Sequence, residues 1–183
     1  MSAVEPPASA YDMGHTVEAE SLATFAILVD NEPGVLHRVV GLFAARGYNI
    51  ESLTVAETDT QHHISRITIV TSGTALILDQ IRAQLERMVS VREVHDVTSD
   101  PGGVERELAL VKVRGTGAER VEALRVADIF RARVIDTTHE SFVFEVTGAS
   151  SKIDKFVGLM RPLGLVELSR TGVLSITRGV EEM

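Results

Sequence analysis

Apolar positions along the chain change period in a regular order. TFAILVD, residues 24–30, is a short apolar run rich in β-formers and reads as a buried strand. Val35, Leu36, Val39, Val40 and Phe43 then recur three and four apart, giving one apolar helix face that runs to about Arg46. Asn31 is placed to cap that helix, Pro33 suits its first turn and Gly47 its C-terminal end. NIESLTVAET (49–58) reads as a strand with Ile50, Leu53 and Val55 apolar, and DTQHH (59–63) as a polar turn. In ISRITIVTS (64–72), Ile64, Arg66, Thr68 and Val70 alternate with Ser65, Ile67, Ile69 and Thr71, as strand residues do. TALILDQIRAQLERMV (74–89) is a second amphipathic helix and VREVHDVT (91–98) a closing strand.

That order, βαββαβ, predicts an α+β, ferredoxin-like module with both helices on one face of an antiparallel sheet. Apolar residues stand on both faces of its strands. A partner sheet, a second subunit or edge-to-edge pairing is therefore expected on the other side. SDPGGVE (99–105) is turn chemistry and marks a linker. A similar cycle follows: a strand at 105–115, a helix at 117–132 and a strand–turn–strand at 133–148 with its turn at His139-Glu140. A Ser-capped helix then spans 150–164, and LVELSRTGVLSITRG (165–179) is a last strand or hairpin. The expected organisation is a tail (1–22), one βαββαβ domain (23–98), a linker (99–105) and a second (106–183).

Composition narrows the chemistry. Hydrophobic residues make up 44% of 183 and mean hydropathy is +0.13, enough for a core, with aromatics at only 4%. Absence of Cys excludes disulfides, thiolate metal sites and a cysteine nucleophile, and suits a reducing cytoplasm. Half of the net charge of −8 lies in residues 1–22, and neither later half is strongly charged. No basic stripe would track a nucleic-acid backbone, no apolar run approaches the ~20 residues of a membrane span, and no secretion signal opens the chain.

One stretch stands out: DNEPGVLHRVVGLFAARGYNIES, residues 30–52. A helix N-terminus offers unpaired N–H groups and a positive partial charge, hence an anion site. Gly34 leaves the backbone open to a ligand, Asn31 supplies a donor and an acceptor, and Asn49 can bond an ammonium or a carboxylate. Together these suit a small zwitterion such as an amino acid. The same residues also serve a plainly capped helix, and the turn by itself does not choose. His62 and His63 are candidate metal ligands, yet neighbours on a strand point to opposite faces, so a solvated hairpin tip is the favoured reading. His37, His95 and His139 are isolated. Glu51 and Glu57 read as solvent-facing. No Rossmann, Walker or Gly-x-Ser-x-Gly motif occurs.

LVDNEPGVLHRVVGLFAARGYNIESLTVAETD, SRITIV and QIRAQLERMVSVREVHDV resemble the small regulatory subunit of acetolactate synthase, also called acetohydroxyacid synthase. ERELALVKVR, IFRARVIDTTHESFVFEVTG, KIDKF and RTGVLSITRG continue the resemblance, which covers residues 23–179. It implies that the first module is an ACT domain, binding an amino acid at a homodimer interface. It implies a non-catalytic chain that activates the large catalytic subunit and confers feedback inhibition, usually by L-valine. Thiamine diphosphate, FAD and magnesium would belong to that partner. Asn31 and Gly34 match the family's effector turn, and Asn49 matches an effector-binding Asn contributed by the other protomer. Backbone groups of Val35, Leu36 and Ile50 complete the implied pocket. One methylene is worth only ~1–3 kcal/mol in an apolar pocket, so the residues leave valine, isoleucine and leucine open. Two other readings stand beside this one: a stand-alone ACT-type sensor acting on another enzyme or on transcription, and a small enzyme using His62 or His63.

Overall fold

The computed structural model describes residues 19–100 and 102–178. Among the described residues thirteen elements follow one another. The first half holds β1 (Ser21–Asp30), α1 (Val35–Arg46), β2 (Ser52–Asp59), β3 (Ile64–Gly73), α2 (Ala75–Leu85) and β4 (Val91–Asp96). The second holds β5 (Val104–Arg114), α3 (Gly117–Phe130), β6 (Arg133–Thr137), β7 (Ser141–Gly148), α4 (Ser150–Met160), β8 (Leu165–Arg170) and β9 (Leu174–Ile176). Of the expected tail, residues 1–18 lie outside the described residues. Ser21 and Leu22 instead extend β1 and pair with Gly73 and Ser72.

Each half is an α+β layer pair. The first sheet runs β2-β3-β1-β4 and the second β6-β7-β5-β8, every pairing antiparallel. This is the ferredoxin-like order that the alternating periods predict. In the first half Phe25, Ile27 and Val29 of β1 meet Val35, Val39 and Phe43 of α1 and Ile81 and Leu85 of α2. The periodicity that forms these helices is thus the periodicity that buries them. A fully buried Phe or Ile side chain contributes about 1.5–3 kcal/mol, so this stripe is what fixes α1 to the sheet. The second core gathers Phe142, Phe144, Ile153, Phe156 and Met160 with Val111 and Val113 of β5. No helix among the described residues is long and apolar enough to cross a membrane.

Several expectations change. The N-cap of α4 is Ala149, with no side-chain cap, rather than a serine. The closing segment is not a hairpin: β8 pairs with Val113–Ala109 of β5, whereas β9 pairs with Val104–Arg106 at its other end. The turn between them crosses to the first half. There Val173 is buried, and its backbone bonds the side chains of Ser52 and Thr54 on β2. The chain's own residues 171–175 therefore cover part of the sheet face expected to need an outside partner. At the linker Asp96 accepts from Thr98 and Ser99, and Asp100 from Gly102, while Val104 and Glu105, expected in the linker, already belong to β5.

Candidate functional site

The turn before α1 is built differently from the expected cap. Gly34, not Asn31, is the N-cap, at φ 86° and ψ −4°, and no side chain caps the helix. Left-handed backbone at that point suits glycine, which has no Cβ to clash. Asn31 stands back from the helix and donates its N–H to the carbonyl of His63 at 2.7 Å, tying the loop to the β2–β3 turn. The Val35 N–H is engaged by the Glu32 carbonyl at 3.2 Å. The N–H groups of Gly34, Leu36 and His37 have no backbone partner among the described residues. Of the Val35 and Leu36 backbone groups that the resemblance implies, the Leu36 donor is open, together with those of Gly34 and His37, while that of Val35 is engaged.

A cation lies beside the mouth. The Arg38 guanidinium is bonded to Glu32 and, at 3.1 Å, to Ser90 Oγ, and its Nη1 comes within 3.6 Å of where a Cβ on Gly34 would stand. Arg38 was not among the sequence candidates. Its signal was its place four residues after Gly34, one helical turn along the same face. Amide donors, helix dipole and guanidinium together make this helix end attractive to an anion, partly offset by the Glu32 carboxylate.

Asn49 and Ile50 are elsewhere. Gly47 closes α1 at φ 69°, and both residues follow it, ahead of β2. A helix of twelve residues is about 18 Å long. Within one chain, the Gly34 mouth and Asn49 are therefore at opposite ends of α1, too far apart to hold one small amino acid together. Asn49 is itself well fixed. Its carbonyl accepts from Thr71 Oγ1 at 2.6 Å and its amide donates to Glu51 Oε1 at 2.6 Å. Ile50 is half-buried and packs on the first core.

The histidine pair forms an exposed turn. His62 Nδ1 contacts Asp59 Oδ2 at 2.5 Å, while His63 Nδ1 lies 3.7 Å from Glu57. Bonding to the His62 side chain and then to its backbone N–H holds the Asp59 carboxyl below its ordinary value. Among the described residues no group of three or more His, Asp or Glu is placed to hold a metal ion. A cleft of about 860 Å³ opens between the halves, lined by Glu51, Leu53, Val70, Glu107, Arg170 and Val173 among others. It adjoins the Asn49 end of β2, not the mouth of α1. On its far wall, the almost fully buried Glu107 takes Arg170 through two bonds of 2.6 Å, and Arg170 reaches Asp154 at 2.7 Å.

Comparison with known proteins adds the lineage. Residues 25–93 match the model for the AHAS small subunit-like ACT domain, and residues 106–179 the model for the small subunit of acetolactate synthase. A probable acetolactate synthase small subunit of Archaeoglobus fulgidus is 44% identical over 85% of this chain and 96% of its own. The acetolactate synthase isozyme 3 small subunit of Escherichia coli is 43% identical over 84% of this chain and 94% of its own. The crystal structure of the Thermotoga maritima small subunit superimposes with a TM-score of 0.79 at 36% identity, covering 88% of this chain and 99% of that one. Both halves, in their order and over nearly their whole length, thus carry the same ancestry, and the chain belongs to the acetolactate synthase small-subunit family.

Proposed function

We propose that this chain is the non-catalytic regulatory subunit of acetolactate synthase. In this reading it binds the large catalytic subunit in the cytoplasm, raises its activity and imposes feedback inhibition by L-valine. Thiamine diphosphate, FAD and magnesium belong to the catalytic partner. The effector-binding module begins with β1 at Ser21 and runs to 98, and the second module begins with β5 at Val104 after a short linker.

The observation that carries the effector site is the separation of its two ends by the length of α1. A homodimer resolves it. If two copies pair about a two-fold axis, the mouth of one α1 meets Asn49 and Ile50 of its partner, twice over. The carboxylate of valine then takes the open N–H groups of Leu36 and His37 beside Gly34. Asn31 borders that end, and Asn49 takes the ammonium. The apolar side chains of Val35, Leu36 and Ile50 flank the branched side chain. A ligand so placed fixes the relative pose of two ACT domains, which is a two-state element. Inhibition requires valine to favour the inhibited pose of the complex over the active one. By linkage, the conformation of the catalytic subunit then changes valine affinity by the same factor, typically ~5–150-fold.

The test is co-purification with the acetolactate synthase catalytic subunit, followed by acetolactate formation from pyruvate with and without L-valine. The expected result is a stable complex, higher activity than the catalytic subunit alone, and loss of activity on adding valine. A pure chain that makes acetolactate by itself, or one that neither binds nor modulates the catalytic subunit, sinks the reading. The second result would favour a sensor acting on another target.

A further inference from the structure

Asn49 has an amide that can present either face to a ligand, and its neighbours decide which. Its Nδ2 donates to Glu51 Oε1 at 2.6 Å. The same carboxylate oxygen accepts from Ser72 Oγ at 3.3 Å, and the Glu51 N–H is held by the Val70 carbonyl at 2.8 Å. Beneath them, fully buried Thr71 fixes the Asn49 carbonyl at 2.6 Å. The end of β3 thus pins the backbone of Asn49, and Glu51 pins its side chain.

A carboxylate only accepts hydrogen bonds, whereas a primary amide has one donating and one accepting side. Beside Glu51, the Asn49 amide must turn its NH₂ toward the carboxylate, because the opposite flip would set two oxygens against each other. Asn49 Oδ1 is then left pointing away from Glu51, and it accepts no hydrogen bond within the described structure. We infer that Glu51 is a positioning residue that makes Asn49 an acceptor, so that this end of the site selects a ligand carrying an ammonium over one carrying a ketone oxygen. The Glu51 charge adds to that preference, since it stands one hydrogen bond behind the acceptor. The ligand class is therefore an α-amino acid, discriminated from the 2-oxo acid with the same carbon skeleton. This inference rests on the effector-site reading above, and it names a residue that does not itself touch the ligand.

The experiment titrates the full-length chain calorimetrically with two probes, L-valine and 3-methyl-2-oxobutanoate, in wild type, Glu51→Gln and Glu51→Ala. Glu51 is exposed to solvent, and thermal melts of the variants check that the fold is retained. Gln can donate as well as accept, so it permits the Asn49 amide to flip. Ala removes the constraint altogether. The expected result is a loss of L-valine affinity of about tenfold in both variants, with oxo-acid binding unchanged or improved. The preference for the amino acid shrinks accordingly. The Asn49 side-chain amide resonances in a ¹⁵N correlation spectrum should also move in both variants, even before ligand is added. If both probes weaken by the same factor, or neither changes, Glu51 is not an orienting group and this inference fails alone. If the wild-type chain does not bind L-valine, the effector-site reading fails and takes this inference with it.

Discussion

The backbone N–H of Val173 donates to Ser52 Oγ at 2.9 Å, joining two residues 121 positions apart in the sequence. Thr54 Oγ1 returns a bond of 3.0 Å to the Val173 carbonyl. One residue of the β8–β9 turn is thereby strapped across the edge strand of the ACT domain, three residues after Asn49. On the other side, Thr171 is anchored to Leu108 of β5. The strap is short, doubly bonded and buried, and it joins the two halves.

Gly172 makes the strap possible. It sits at φ 85°, and a Cβ there would stand 2.6 Å from Ser52 Oγ and 3.1 Å from Thr54 Cγ2. Gly172→Ala is expected to lower stability by about 1–3 kcal/mol and to expose the strap to proteases. Ser52→Ala removes one bond without adding bulk and should cost about 1 kcal/mol. Limited proteolysis with thermal melts checks both. A Gly172→Ala chain as resistant and as stable as wild type would refute the strap.

Gly34→Asp is expected to abolish L-valine binding, because a new carboxylate would occupy and repel the anion mouth. Gly34→Ala is the control. Its Cβ meets only Arg38 Nη1, at an ordinary 3.6 Å, so it brings backbone strain of about 1 kcal/mol and no charge. Calorimetry should find Ala weakened several-fold at most and Asp beyond detection. Equal affinities for the two would place the carboxylate site elsewhere.

Arg170 neutralises a carboxylate that has almost no contact with water. Bonding to Glu107 raises the Arg170 guanidinium above its ordinary value, against the opposing effect of burial. Removing Arg170 leaves the buried Glu107 charge without its guanidinium; because the Arg170 side chain is itself 33% exposed, the cost falls below the ~3–5 kcal/mol of a fully buried pair. Arg170→Met should therefore destabilise the second half strongly, and adding Glu107→Leu should recover much of the loss. Denaturant melts of the two single variants and the double variant form the cycle that measures this.

Acid should loosen the Asp59 turn. The carboxyl is held below its ordinary value, chiefly by the His62 side chain and then by its backbone N–H. A depressed carboxyl contributes stability above its unfolded value and loses that contribution as pH falls through the folded one, here below about pH 4. Asp59→Asn should flatten that acid limb and leave stability less dependent on pH there. Because the pair is exposed, high salt should weaken the effect in the wild type. Stability curves from pH 7 to pH 3, at low and high salt, decide it.

Much of the fold is legible in local patterns. Val35, Val39 and Phe43 announce the buried face of α1 at a spacing of 3.6, and Gly47 announces its end. The α+β order of both halves follows from periods of two and 3.6 in alternation. The N-terminal cap of α1 falls at Gly34 and not at Asn31, because Asn31 has the chemistry of a cap but Gly34 has the backbone freedom that this turn uses. Glu51 reads as a solvated charge, since nothing local distinguishes a carboxylate in water from one that orients a neighbour such as Asn49.

By itself, the sequence determined which residues turn inward, because burial of an apolar face is paid for along each helix and strand separately. Only the tertiary structure decided what each face and edge meets. It set β9 against the far end of β5, Val173 against Ser52, and Asn49 a full helix length from Gly34. Those relationships depend on closing long loops and on backbone hydrogen bonds that any residue can make. No spacing in the sequence records them.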